Sequence, residues 1–206
     1  MDDDIIDGTI NSTITASIVD AASDDDFDAV ADQTVTASTT DDDVAGFTIV
    51  ELDGSTEVDE SGDTDTFTVV LDAQPTSDVV ITITSSDTGE ATVTSTLTFT
   101  PANWDTPQVA TITGVDDDII DGSQTSTITV SIDDANSDDD FDAIADQTVS
   151  VSTTDDDVAG FTVAETDGST GVDESGTTDI ITVVLNAQPA SDLSLIHISE
   201  PTRQVL

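Results

Sequence analysis

Carboxylates are the only side chains in this chain numerous enough to do chemistry, and they come in runs. Among 206 residues there are 46 Asp plus Glu against 1 Lys plus Arg and 1 His, for a formal net charge of -45. Cys and Tyr are absent. That removes disulfides, thiolate metal sites and a Cys nucleophile. The acidic runs are Asp2–Asp4, Asp24–Asp26, Asp41–Asp43, Asp116–Asp118, Asp138–Asp140 and Asp155–Asp157. Adjacent carboxylates repel one another and raise each other's pKa values, so a fold that gathers them gains from a bound cation. Ca²⁺ suits such loops, because it accepts roughly six to eight oxygen ligands in a flexible shell. Mg²⁺ demands stricter octahedral geometry. Zinc and copper are disfavoured without Cys or a well-placed His.

Placement separates the runs. A strand running into Asp116-Asp117-Asp118-Ile119-Ile120-Asp121-Gly122 offers carboxylates at several offsets around one turn. Asp155, Asp156 and Asp157 lie where one repeat hands over to the next. Asp116, Asp117, Asp118, Asp121 and Asp155 to Asp157 are therefore predicted metal ligands. The Asp138–Asp140 loop is predicted to be solvated charge. The EF-hand pattern is not met.

The charge also excludes function classes. No cationic surface exists to displace phosphate counterions, so nucleic acid is not an expected partner. Docking on an anionic membrane surface is disfavoured for the same reason, and no apolar run approaches the ~18 residues of a membrane span. A pair of carboxylates can hydrolyse glycosides. The sequence has no separate catalytic insertion and only 1 Trp to hold a sugar, so no enzyme activity is predicted.

The elements that position these runs are repeated. Asp2-Asp3-Asp4-Ile5-Ile6-Asp7-Gly8 recurs as Asp116 to Gly122, and Thr40 to Phe47 recurs as Thr154 to Phe161, both at an offset of 114. Residues 1–78 and 115–192 are identical at 59 positions. A period this long is a whole domain rather than a solenoid rung. The expected organisation is a complete unit over 44–157, the last third of a preceding unit over 1–43, and the first third of a following unit over 158–192. Met1 stands where the other copy has Val115, and the alignment stops at Leu193. Residues 193–203, Leu-Ser-Leu-Ile-His-Ile-Ser-Glu-Pro-Thr-Arg, resemble a translated sequencing adapter, so 193–206 is expected to be a non-native tail. It holds the sole His and the sole Arg, leaving 1–192 without any basic side chain.

Period-two alternation predicts strands within the unit. Phe67, Val69 and Leu71, then Val79, Ile81 and Ile83, then Ile128, Val130 and Ile132 each alternate with largely Thr and Ser positions. Phe47 and Ile49, Val93 to Phe99, Val109 to Thr113, and Val149 and Val151 read the same way. Turn clusters such as Glu60-Ser61-Gly62 and Asp72-Ala73-Gln74-Pro75 separate them. No segment holds a helical period beyond one turn near Ala29–Ala31 and Ala143–Ala145. About seven short antiparallel strands indicate an all-β, immunoglobulin-like sandwich. Trp104 is read as a packing anchor at a strand corner.

Gly114 to Gly122, the strand 125–132 after it and the closing Asp155–Asp157 resemble the Calx-β domain. So do Phe47-Thr48-Ile49 leading to Val58-Asp59-Glu60-Ser61-Gly62, the stretch Ser85 to Thr92, and Leu97 to Pro101. The resemblance covers 44–157 and implies an immunoglobulin-like sandwich that occurs in tandem in large bacterial surface proteins. It also implies Ca²⁺ ligands at Glu60 and Asp87, beside Asp116, Asp117, Asp118, Asp121, Asp155, Asp156 and Asp157. The expected function is a non-enzymatic calcium-binding structural or adhesive repeat of a large extracellular or cell-surface protein. Its expected partners are neighbouring repeats and surface or matrix ligands. The alternative is a metal-independent acidic spacer held extended by its own charge.

Overall fold

Alternating Val, Ile, Leu and Phe positions draw the middle of the chain into two facing sheets. The structure, a computed structural model, describes residues 3–22, 24–52 and 54–194. Its strands in chain order begin with β1 (Ile10–Ala16), β2 (Gln33–Thr39), β3 (Phe47–Glu51), β4 (Thr56–Asp59), β5 (Thr64–Leu71), β6 (Val79–Ser85) and β7 (Ala91–Val93). They continue with β8 (Thr96–Phe99), β9 (Gln108–Gly114), β10 (Gln124–Ile132), β11 (Gln147–Thr154), β12 (Phe161–Glu165) and β13 (Ile181–Leu185).

Strands β3 to β11 form the sandwich. One sheet runs β4-β11-β10-β6-β8 and the other β3-β5-β9-β7. All neighbours in these two sheets are antiparallel except β11 and β4, which pair in parallel. The fold is the all-β, immunoglobulin-like sandwich that the alternation indicates. It has nine strands rather than about seven. Thr56–Asp59 is a strand of its own, and the expected single strand over Val93–Phe99 breaks into β7 and β8, which pair in opposite sheets. A further correction concerns the expected turn at Ala143–Ala145. The 3-10 turn falls just before it, at Asp139–Phe141, where Asp138 caps it by accepting from the Asp140 N–H.

The core lies between the sheets. Phe67, Val69 and Ile112 of one sheet face Ile81, Phe99, Ile128 and Val130 of the other, all with essentially no exposure. Burying each such side chain stabilises by roughly 1.5–3 kcal/mol. Register places Ile83 opposite Val130 and Ile81 opposite both Ile132 and Leu97. Phe141 plugs the core from its 3-10 turn. Trp104 packs against the core from the corner, and its carbonyl accepts from the Leu71 N–H.

Outside the sandwich, among the described residues, β1 pairs only with β2 and β12 only with β13. Among the described residues, no helix is long and apolar enough to cross a membrane. Most of the expected non-native tail, 195–206, lies outside the described residues.

Candidate metal centre

Five pieces of chain meet at one end of the sandwich, and each ends in a carboxylate. β4 pairs in parallel with β11 and delivers Glu60 just beyond its last residue, where the Glu60 N–H donates to the Thr154 carbonyl at 3.2 Å. β11 runs on into Asp155–Asp157. β9 ends at Gly114 and leads into Asp116–Asp118. The turn before β10 carries Asp121. The turn before β7 carries Asp87 and Glu90, held where the Glu90 carbonyl accepts from the Val115 N–H at 2.9 Å.

Two glycines make the approach possible. A Cβ on Gly114 would lie 1.9 Å from the Asp59 carbonyl oxygen, so only glycine lets β9 end against the β4 corner. Gly122 has φ 73°, a conformation that favours glycine. Its N–H donates to Asp155 Oδ2 at 2.7 Å, and the Asp157 N–H donates to Asp155 Oδ1 at 2.8 Å. Asp155 thus ties the Asp121 turn to the closing acidic run.

The result is two carboxylate triads that share Glu60. Glu60, Glu90 and Asp121 offer oxygens that all lie within 4.8 Å of one another, and so do Glu60, Asp117 and Asp157. Calcium–oxygen distances of about 2.3–2.6 Å place ligands on opposite sides of one ion roughly 4.6–5.2 Å apart, so this spread suits a shared Ca²⁺.

The electrostatics of these triads would favour a cation. Glu60 is 1% exposed. Burial, and after it the charge of Asp155, pushes its carboxyl up to about 7, against a single helping N–H from Asp156. Burial and then Asp121 and Asp87 raise Glu90 above the usual carboxylate range. Burial and then Asp118 and Asp155 raise Asp157. Glu60 Oε2, Glu90 Oε2 and Asp157 Oδ2 are buried with no hydrogen-bond partner. The sole other buried side-chain atom in that condition among the described residues is the Ser126 hydroxyl. Native folds rarely orphan buried carboxylate oxygens, and an ion is one ordinary explanation. The donor set of hard oxygens fits calcium.

The expected ligands divide. Glu60, Asp117, Asp121 and Asp157 converge. Asp155 braces the site through its two hydrogen bonds. Asp87 is exposed and accepts from the Gly89 N–H at 3.0 Å, at the edge of the site where its charge reaches Glu90. Asp116, Asp118 and Asp156 are exposed, and none of them belongs to either triad. Asp156 contributes its backbone N–H and Asp118 its charge. Glu90 was not among the expected ligands. It belongs to no acidic run, and it falls in 79–114, the part of the repeat present only once, so self-comparison could not flag it.

The Asp138–Asp140 loop corrects an expectation. Asp138 is buried rather than solvated. Its Oδ2 accepts from the Thr76 N–H and hydroxyl, both at 2.8 Å, and from the Ser77 N–H at 2.7 Å. Burial raises its pKa, but these donors and the Asp140 N–H outweigh it and hold the group below its ordinary value. Asp138 is a clip between two loops. The pattern Asp-Asp-Asp could not reveal it, because the donors lie some sixty residues away.

No family model and no curated protein matches the chain. Solved structures with some likeness include the apo-form Calx CBD1 domain, at 16% identity over 54% of this chain and 98% of that one, with a TM-score of 0.39. Domains 4 and 5 of the S-layer protein SbsC are 20% identical over 60% of this chain and 63% of that one, at 0.36. A Bacteroides ovatus GH5 xyloglucanase is 16% identical over 53% of this chain, at 0.36, and the chain spans 19% of that enzyme's length. None of these likenesses is strong enough to bear on function, which rests here on the geometry of the site.

Proposed function

We propose that the chain is a non-enzymatic, calcium-binding structural repeat of a large extracellular or cell-surface protein, with 44–157 as one unit of a tandem array. The observation that carries this reading is the set of buried, unpartnered oxygens on Glu60, Glu90 and Asp157, gathered in two triads around one shared carboxylate. Glu60, Glu90, Asp117, Asp121 and Asp157 would hold the ion, and Asp155 would position them. The ion supplies charge neutralisation where one unit passes into the next. It would thereby stiffen the array, whose partners are the neighbouring repeats and, for an adhesive protein, surface or matrix ligands.

The test is titration of the full chain with calcium and, separately, magnesium at constant ionic strength, read by melting temperature. Constant ionic strength matters because monovalent salt also screens this charge. Calcium is expected to raise the melting temperature more than magnesium does, and Glu60→Gln with Glu90→Gln is expected to remove the difference. Equal responses to both cations, unchanged by the double substitution, would replace this reading with the metal-independent spacer.

A further inference from the structure

Just behind Asp2–Asp4 and Asp116–Asp118 lies a pair of isoleucines that the proposed calcium site does not use. At the first copy, Ile5 forms an isolated parallel bridge with Gln74, and the Gln74 N–H donates to the Asp4 carbonyl at 2.6 Å. At the second copy, Ile119 forms the same bridge with Gln188, and the Gln188 N–H donates to the Asp118 carbonyl at 2.6 Å. The two contacts are related by the offset of 114. Each joins one repeat to the turn of the repeat that follows.

The receiving turn is built alike in both copies. Asp72-Ala73-Gln74-Pro75 corresponds to Asn186-Ala187-Gln188-Pro189. The Asp72 N–H donates to the Gly46 carbonyl and the Asn186 N–H to the Gly160 carbonyl, both at 2.9 Å. A Cβ on Gly46 would lie 2.4 Å from Asp72 Oδ2, and one on Gly160 would lie 2.7 Å from Asn186 Nδ2. The start of each repeat thus lies against its own turn. Around Gln74 the socket has a further wall, where the Gln74 side-chain N–H donates to the Pro101 carbonyl at 2.8 Å. There Ile6 is partly buried against the hydrophobic core of the following unit. The chain has no counterpart of 79–114 after Gln188. The matching Ile120 is 46% exposed, and Asp118, Gln188 and Pro189 line an open cavity at this second joint.

We propose that residues 4–6 and 118–120 are a plug by which each repeat docks on its successor, and that the Gln-Pro turn at 74–75 and 188–189 is the socket. The covalent link through Val44–Gly46 crosses the joint once and by itself permits rotation. A second crossing, made of one backbone hydrogen bond and, at the first joint, the partly buried Ile6, removes that freedom. The plug's partner is thus another copy of the same repeat, which is how an array of identical units sets a uniform angle between neighbours. The inference rests on the tandem-repeat part of the proposed function and not on calcium.

Amide hydrogen exchange on the full chain in chelator tests it. The Gln74 N–H is expected to exchange about tenfold faster in Ile6→Asp than in the wild type, while the Ile81 and Val130 amides keep their protection. Ile120→Asp, the same change at the joint that lacks the wall, is expected to leave Gln74 unchanged. Should Ile6→Asp unfold the chain, Ile6→Ala trims the plug more gently and is read in its place. A Gln74 amide that exchanges equally fast in the wild type and the Ile6 variant overturns the proposal. So does an Ile120 variant that accelerates it as much. Failure of the calcium reading shows in the metal titration and leaves Gln74 protection where it is.

Discussion

Phe141 and Phe27 occupy the same position of the repeat and have nearly the same sequence around them, yet Phe141 is fully buried and Phe27 is 55% exposed. The strands beside them pair in matching register, Ile14 opposite Val35 in β1–β2 and Ile128 opposite Val149 in β10–β11. Ile14 and Val35 are nevertheless exposed, whereas Ile128 and Val149 are in the core. The C-terminal part repeats the lesson, with Val183 of β13 at 42% exposure and its counterpart Val69 at 0%. Local pairing forms wherever the two strands are present. Burial needs the opposing sheet, and only β3 to β11 supply both sheets.

The acidic ends differ in the same way. Asp41 accepts from the Asp7 and Gly8 N–H groups at 2.9 and 2.7 Å. The N–H groups of Asp43 and then Gly8 hold its carboxyl below the ordinary range. Asp3, Asp7 and Asp41–Asp43 line an open cavity. In the complete unit Glu60 and Glu90 gather with Asp121, and Glu60 with Asp117 and Asp157, and burial followed by the charges of Asp118 and Asp155 raises Asp157. The full site buries an oxygen on each of Glu60, Glu90 and Asp157 without a hydrogen-bond partner.

The largest test of this contrast is Phe141→Ala, expected to cost about 3–5 kcal/mol of unfolding free energy in denaturant melts. Phe27→Ala should stay within ~0.5 kcal/mol. Equal losses would mean that β1–β2 is buried in solution by a partner. Hydrogen exchange should agree, with slow amides in 67–71, 79–83 and 128–132 and fast ones in β1, β2, β12 and β13.

Calcium comes next. A hundredfold excess over Kd should stabilise the unit by ~2.7 kcal/mol through mass action, with Kd near 10⁻⁴ to 10⁻³ M if it behaves as extracellular modules do, roughly. Asp41→Asn, in the half-site, should leave this gain intact, and Glu90→Gln should diminish it.

A smaller effect separates the two Asp runs before the 3-10 turns. Asp138→Ala strands the Thr76 and Ser77 donors and should cost about 1–3 kcal/mol. Asp24→Ala loses only a local cap to the Asp26 N–H and should cost at most about half of that. Chemical melts of the two variants decide.

The smallest expected effect is on pH dependence in chelator. The Glu60 carboxyl lies at about 7 in the metal-free fold, above its ordinary 4.5. The folded state therefore binds more protons than the unfolded chain across that window, so stability is greatest below it and falls as pH rises through it. The melting temperature should decline from pH 5 to pH 8, and Glu60→Gln should flatten part of that slope. A slope unchanged by the substitution would assign it to the general charge repulsion of the chain.

Much of this molecule is legible in its amino-acid sequence because strand alternation is local. Phe67, Val69, Leu71, Val79, Ile81, Ile83, Ile128 and Val130 reveal their buried faces through period two alone. The repeat offset locates both acidic runs, and the resemblance names Glu60. The break between β7 and β8 is less legible, because Ser95 alone interrupts the apolar phase of Val93, Leu97 and Phe99 where the chain crosses from one sheet to the other. Sequence by itself determined the β-class, the strand faces, the repeat and the hard-oxygen chemistry of its abundant carboxylates. Tertiary structure alone decided which carboxylates share a site, since Glu60, Glu90, Asp117, Asp121 and Asp157 come from five separate segments. It also turned Asp138 from apparent surface charge into a buried clip, and left Phe27 and Phe141 in opposite environments. The reason is the same in each case: strand pairing is set by neighbours along the chain, whereas desolvation is set by whatever the rest of the fold places on the other side.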